Sequence, residues 1–479
     1  MINDFFVTNV TENLPFLPNN CQREALVKLG NFLFEPTTRD RVFILRGYAG
    51  TGKTSLVGAL VKTLQAHKVP THLMAPTGRA AKVFASMAGK TALTIHKTIY
   101  RQKKFGLDGG FQLTDNKQTG ALYICDEASM ISTLQEGSLF GTGNLLDDLI
   151  EYVYSGTDCR LLLVGDGAQL PPVGQTQSYA LSVSHLQGYG LEVMEAELTE
   201  VARQQLESGI LFNATILRNH ISRGEVNRLP HIIYKDYSDL HRIDGMTMSD
   251  DLGSSYSREG IDETIFITRS NKKANQLNLG IRNRILDREE ELTTGERLLV
   301  VKNNYWWARD YDQVPFIANG DIVAVNRVRR EETLYGFRFA HVDVTLTDYN
   351  IDLEVIVLLD TLMSEGPSLS QEQMSRLFYA VMEDYADIPS QRDRIRKVKE
   401  NPYFNALQVK YGYAVTCHKS QGGQWQDVYL DLSYINPEHL GMDFYRWMYT
   451  AFTRARKNLY LVNMSDEMSA ENESGVQKN

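Results

Sequence analysis

The chain has 479 residues, more than a single hydrophobic core serves, so about two to four domains are expected. With 43% hydrophobic and 23% charged residues its composition is that of an ordinary soluble globular protein, and no apolar run approaches the ~20 residues of a membrane-spanning helix. The net charge of −9 argues against loose nucleic-acid binding over the whole surface, while leaving room for a local basic groove.

The opening segment, MINDFFVTNVTENLPF, has neither a basic start nor a long apolar stretch, so no export signal and a cytoplasmic location are expected. Cys21, Cys125, Cys159 and Cys417 form no CxxC pair, which argues against a disulfide framework or a zinc site. The first predicted strand is Val42–Leu45. Directly after it, residues 47–54 read Gly-Tyr-Ala-Gly-Thr-Gly-Lys-Thr, followed by an amphipathic run through Leu56, Val57, Leu60, Val61 and Leu64. This strand–GxxxxGK[ST]–helix pattern is that of a phosphate-binding loop. Gly47, Gly50 and Gly52 let the backbone wrap closely around phosphate oxygens, and the following helix N-terminus points its N–H groups at the anion. Lys53 can reach the β- and γ-phosphates and the Thr54 hydroxyl can ligate Mg²⁺, with Thr51 and Ser55 completing the expected nucleotide contacts.

Further strands are predicted at His72–Ala75, Ala121–Cys125 and Leu161–Val164. Each ends where a polar or glycine-containing motif begins, as at the carboxyl ends of a parallel sheet. The segments Ala75–Lys82 (APTGRAAK) and Thr94–Lys97 (TIHK) combine small hydroxyl residues with a basic one, a chemistry suited to phosphate oxygens, although a helix cap explains each equally well. Residues 101–120 interrupt the alternation, and Gly109-Gly110 suggests a small hairpin insertion. Residues 121–130 (ALYICDEASM) end a buried strand in Asp126-Glu127. One carboxylate there can hold Mg²⁺ through water and the other can orient and deprotonate an attacking water. Residues 165–174 (GDGAQLPPVG) offer Gln169 to sense a γ-phosphate.

A second α/β block is expected from Glu192–Val201 onward, through Glu263–Thr268, resuming at Ala414–Val415, Val428–Leu432 and Leu459–Val462. Between these parts Ile322–Val328, Phe337–Thr347 and Leu353–Leu359 alternate apolar and polar residues, as in a small antiparallel β module, and a helical segment bearing Arg392, Arg394, Arg396, Lys397 and Lys399 follows. Thr268–Asn271 (TRSN) and Thr416–Gly422 (TCHKSQG) repeat the hydroxyl-plus-base pattern. Residues 198–204 (LTEVARQ) present Arg203, and residues 449–456 (YTAFTRAR) present Arg454 and Arg456. An arginine supplied by another domain stabilises charge on the γ-oxygens and is worth ~10³-fold or more in phosphoryl transfer. The last dozen or so residues are polar and are expected to fray.

In this order GYAGTGKT, APTGRAAK, TIHK, DEASM, GDGAQLPPVG, LTEVARQ, VTCHKSQGGQW and YTAFTRAR resemble the motifs of superfamily 1 helicases of the RecD, Dda and Pif-type branch, called 1B, from about Gln22 to Val462. The resemblance implies an α/β fold of two RecA-like P-loop domains with ATP between them. The first would span 1–190 with a hairpin insertion at 101–120, and the second 191–300 and 411–465. An SH3-like and helical insertion would fill 301–410, and 466–479 would be a tail. It implies that Gln22 reads adenine, and that Lys53, Thr54, Asp126, Glu127, Gln169, Arg203 and Arg454 form the nucleotide site. Thr77, Arg79, Thr94, His96, Thr416, His418 and Lys419 would lie along a nucleic-acid groove, and the hairpin near Phe105–Phe111 would split the duplex. The expected cofactors are ATP and Mg²⁺, and the expected partners are single-stranded and forked duplex DNA. The expected activity is 5′-to-3′ unwinding by a monomer without membrane contact, in DNA repair, replication or recombination. An Upf-like RNA helicase and a non-motor P-loop ATPase remain open as alternatives. Single-strand stimulation of hydrolysis, and DNA against RNA as the stimulant, discriminate among the three. Intact Lys53, Asp126 and Glu127 argue against a binding module without catalysis.

Overall fold

A computed structural model describes residues 2–102, 111–133, 141–200, 207–311, 314 and 316–470. The chain divides into two compact units. The first is Met1–Arg242 with Ser420–Gln424 and Leu432–Asn479, and the second is Ile243–Lys419 with Trp425–Asp431.

The first unit begins with helices α1 (Ile2–Glu12) and α2 (Asn20–Phe34). Next come β1 (Arg41–Gly47), α3 (Lys53–Ala66), β2 (Thr71–Ala75), α4 (Gly78–Ala88), β3 (Ala92–Thr94), α5 (Ile95–Ile99), β4 (Tyr100–Gln102) and β5 (Phe111–Leu113). The unit continues through β6 (Leu122–Cys125), α6 (Leu145–Ser155), β7 (Arg160–Gly165), α7 (Val183–Gln187), β8 (Glu192–Leu198) and α8 (Gly209–Arg223), and β9 (Leu240–Ile243) follows. Six strands form one sheet in the order β3-β2-β6-β7-β1-β8, parallel at every pairing. Val42, Phe43, Ile44 and Leu45 are fully buried, as a strand covered on both faces by helices must be. Phe32, Leu60, Ile124, Leu162 and Leu198 join Phe43 and Leu45 in the main core of the unit.

The four strands read from the sequence in 1–190 all lie in this sheet, and β3 adds a short fifth that no local pattern marks. The boundary at 190 needs correction. Glu192–Leu198 pairs in parallel with β1 from Arg41↔Glu192 to Gly47↔Leu198, so it closes the first sheet and does not open a second block. Its alternating Glu and apolar residues suit an edge strand with one wet face. In the stretch expected to hold a hairpin insertion, β4 and β5 pair antiparallel with Gln102↔Phe111, and residues 103–110 lie outside the described residues.

The second unit holds α9 (Met248–Arg258), β10 (Thr264–Thr268), α10 (Asn271–Arg284), β11 (Arg297–Val300), β12 (Ile322–Leu334), β13 (Phe337–Leu346) and β14 (Ile351–Leu358). After these come α11 (Gln371–Glu383), α12 (Gln391–Lys399), β15 (Leu407–Tyr411), β16 (Ala414–Thr416), α13 (Cys417–Ser420) and β17 (Trp425–Asp431). Strand β10 pairs in parallel with β16 and with β17. Strands β11 to β15 close into a barrel, so the antiparallel module expected from alternation is a barrel that also draws in residues before 300 and after 406. Leu377 and Val381 of α11 and Val398 of α12 pack on Phe337, Phe339, Ile356 and Leu358, which makes the charged helical segment a cover over one apolar side of the barrel. The C-terminal elements α14 (Met442–Phe452) and β18 (Ala455–Val462) group by compactness with the first unit, whereas the resemblance assigns them to the second domain. Among the described residues no helix is long and apolar enough to cross a membrane.

Candidate nucleotide site and nucleic-acid interface

The loop between β1 and α3 has the left-handed turns its glycines permit, with φ 76° at Gly50 and 80° at Gly52. A Cβ on Gly47 would lie 2.7 Å from Lys53 Cγ, and one on Gly52 would lie 2.7 Å from Gln22 Nε2. The Thr51 hydroxyl donates to the Tyr48 carbonyl at 2.8 Å. The Lys53 ammonium donates to the carbonyls of Gly47 and Tyr48, the latter at 3.0 Å, and lies 4.0 Å from Asp166 Oδ2. Thr54 and Ser55 occupy the first turn of α3, half-buried. Gln22 is brought onto the same loop: its Nε2 donates to the Thr51 carbonyl at 3.0 Å while its Oε1 accepts from Asn19 N–H in a capping box.

Neighbouring strands deliver the acidic residues. Strand β7 lies between β1 and β6, so the loops that follow β1, β6 and β7 emerge at one end of the sheet. Asp126 is deeply buried, and its carboxyl is pushed above the usual range by that burial and then by Glu127, with the Glu127 N–H and Lys53 opposing. A cation beside it would relieve that cost. Glu127 has φ 52°, a left-handed conformation that costs a non-glycine residue of order 1 kcal/mol and that concentrates at functional sites. Its N–H donates to Asp126 Oδ1 at 2.9 Å. Gln169 is 7% exposed and its Oε1 is a buried acceptor without a partner among the described residues.

Two residues of this site are not among those singled out from the sequence. Asp166, 1% exposed, accepts from Ala168 N–H at 3.0 Å and from the Tyr449 hydroxyl at 2.6 Å. Tyr449 in turn accepts from Ala49 N–H, in the phosphate loop, at 2.9 Å. The signal for Asp166 was its place directly after a buried strand, like Asp126. Tyr449 had only its place as the first residue of the YTAFTRAR motif.

Arg203 lies outside the described residues. Arg454 is 2% exposed, and its guanidinium donates to the carbonyls of Thr450 (3.0 Å) and Gly423 (3.2 Å) and to the Thr453 hydroxyl (3.0 Å). Arg456 is exposed and meets Gln424 Oε1 at 3.1 Å.

The hydroxyl-plus-base segments cluster in pairs, one pair in each unit. In the first, Ala75↔Thr94 ends the pairing of β2 with β3, so Thr77 and Arg79 at the start of α4 emerge beside Thr94 and His96. Thr77 and Thr94 each cap the following helix, accepting from Ala80 and Lys97 N–H, and Arg79 donates to the Gln424 carbonyl at 3.3 Å. Burial pushes His96 down to about 4, so its ring is neutral at pH 7 and supplies no cation. In the second unit Thr268↔Thr416 ends the pairing of β10 with β16. This places Arg269 beside the segment of Thr416, His418 and Lys419, where His418 is exposed and burial pushes Lys419 down to about 8. Carboxyl ends of parallel strands are where such sheets bind ligands.

A family model described as an AAA domain matches residues 22–228, and one described as a UvrD-like helicase C-terminal domain matches residues 411–462. Among curated proteins, an uncharacterized protein of Acanthamoeba polyphaga mimivirus is 21% identical over 92% of this chain and 99% of its own length. The ATP-dependent RecD2 DNA helicase of Deinococcus radiodurans is 32% identical over 28% of this chain and 16% of its own. The ATP-dependent DNA helicase dda of Enterobacteria phage T4 is 26% identical over 64% and 69%. Among solved structures, a Pif1 helicase from Bacteroides in complex with ADP-AlF3 and ssDNA is 15% identical with a TM-score of 0.46, covering 95% of each chain. Pif1 helicase from Candida albicans is 16% identical with a TM-score of 0.43, covering 95% of this chain and 97% of its own.

Proposed function

The chain belongs to the superfamily 1B helicases, the branch of RecD, Dda and Pif-type proteins, and from that premise we propose that it is an ATP-dependent DNA helicase moving 5′-to-3′ along single-stranded DNA. The observation that carries the reading is the grouping, at the carboxyl ends of β1, β6 and β7, of the phosphate loop, the Asp126-Glu127 pair and the buried, unpartnered Gln169 Oε1. Two hydroxyl-and-base clusters at the carboxyl ends of paired strands, one in each unit, each offer donors suited to a phosphate backbone.

Each side chain then has a defined task. Lys53 turns its ammonium from the carbonyls of Gly47 and Tyr48 to the β- and γ-phosphates. Thr54 and the buried Asp126 would hold Mg²⁺, which when bound neutralises phosphate charge. Glu127 orients the attacking water and accepts its proton, and Gln169 senses the γ-phosphate through its amide N–H, leaving Oε1 to accept from water. Gln22, already seated on Thr51, recognises adenine. Arg203 and Arg454 stabilise the transferring charge. For Arg454 this requires exchanging its bonds to Thr450, Gly423 and Thr453 for a phosphate. The domain assignment proposed is a RecA-like first domain extended to include Glu192–Leu198, and a second carrying the barrel as an SH3-like insertion.

Unwinding of forked duplexes with one tail on either end tests the reading. A 5′ single-stranded tail is required in the expected outcome, and efficient opening of substrates with only a 3′ tail removes the polarity assignment. RNA in place of DNA as the ATPase stimulant separates an RNA helicase, and hydrolysis indifferent to any single strand separates a non-motor ATPase.

A pH dependence follows from Lys419. With its ammonium held down to about 8 in the free protein, a nearby DNA phosphate favours the charged form and raises that value on binding. Binding therefore takes up a proton, and affinity is fully expressed below pH 8 and weakens as pH rises through it. Single-strand titrations at fixed salt between about pH 7 and 9 should show this loss. Lys419→Arg, which stays charged across that range, should flatten it.

A further inference from the structure

We infer that Tyr449 is a positioning residue of the phosphate loop: its hydroxyl holds Asp166 off Lys53 and keeps the lysine available to a nucleotide's phosphates. The inference rests on the nucleotide site proposed above and assigns a role to Tyr449, the first residue of the YTAFTRAR motif, whose arginines alone were given one.

The geometry is a short chain of three groups. Tyr449 is 1% exposed, on helix α14. Burial, and then Asp166, push its phenol well above the ordinary value, so the hydroxyl stays protonated at any working pH. Its one proton goes to Asp166 Oδ2 at 2.6 Å, and its oxygen is left to accept Ala49 N–H at 2.9 Å. Asp166 Oδ1 is already engaged by Ala168 N–H. Oδ2 is thus the oxygen that faces Lys53, and among the described residues Tyr449 is its hydrogen-bond donor. The Lys53 ammonium stays 4.0 Å away, beyond the roughly 2.8 Å of a charge-assisted hydrogen bond. The next residue on the helix works on the following loop, since the Thr450 hydroxyl accepts from Leu170 N–H at 2.9 Å. One turn of α14 therefore touches the phosphate loop, Asp166 and the loop that carries Gln169.

Removing the hydroxyl leaves a buried carboxylate oxygen short of a donor, a costly state, with the Lys53 ammonium within reach. Closing that gap ties Lys53 into an ion pair that competes with phosphate. The same substitution frees Ala49 N–H. A tyrosine that served packing alone would be replaced by phenylalanine without such a consequence.

The test is equilibrium binding of a fluorescent N-methylanthraniloyl-ATP to the full chain, with circular dichroism reporting the fold. Tyr449→Phe should weaken binding by about tenfold, the scale of one charge-assisted interaction. Adding Asp166→Asn to that variant should restore most of the affinity, because the neutral amide forms no ion pair with Lys53. Binding by Tyr449→Phe within about twofold of the parent overturns the inference, and so does a loss that persists undiminished in the Asp166→Asn background, since uncoupled losses add. A parent protein that does not bind the nucleotide overturns the nucleotide site itself, and this inference with it.

Discussion

Lys53→Ala is expected to abolish single-strand-stimulated ATP hydrolysis, with a fall in kcat of roughly 10²-fold or more, the scale seen when preorganised charge stabilisation is removed. The ammonium is the cation of the loop. It already donates to two loop carbonyls and lies 4.0 Å from Asp166, so its removal takes from the phosphates the loop's own cation and weakens ATP binding as well. Glu127→Gln should match it in hydrolysis and differ in binding. The amide keeps the size of the side chain and the backbone turn at φ 52°, but it cannot accept a proton from water. ATP binding measured beside turnover separates the two variants, and parent-like turnover in either removes the site assignment.

Glu296→Ala is expected to destabilise the second unit by ~3–5 kcal/mol, the cost of leaving one charge of a buried pair without its partner. Glu296 is fully buried. It accepts from Arg282 Nε at 3.1 Å on both carboxylate oxygens and from Arg282 Nη2 at 2.9 Å. It also accepts from the Tyr413 hydroxyl at 2.7 Å and from Arg288 at 3.2 Å. Arg282, itself 2% exposed, stacks 4.3 Å from the centre of the Tyr411 ring, so the pair ties α10 to the barrel strands. Urea denaturation should show the midpoint moving down. The paired substitution Arg282→Met with Glu296→Leu should lose much less, since it removes both fully buried charges and leaves only the partly exposed Arg288 short of one partner. Equal losses in the single and paired variants would mean that packing, rather than charge, decides stability there.

Residues 41–66 were legible without any structure, because the strand, the phosphate loop and the helix lie within one local stretch whose spacing is set by backbone geometry and phosphate chemistry. The Asp126-Glu127 pair was legible for the same reason, as acids at the end of a buried strand. The alternation in 322–359 likewise marked three barrel strands, since side chains of a strand with one wet face alternate by residue. Tertiary structure alone decided the rest. Glu192–Leu198 reads equally well as the start of a new block and joined the first sheet only by pairing with β1. Gln22 met Thr51, and Thr268 came level with Thr416, through strand order and helix packing. Tyr449 reached Asp166 across 283 positions of sequence. Local patterns record which residues want burial or a turn. They carry no term for which distant segments close on one another, because that choice rests on sheet register and core packing summed over the whole unit.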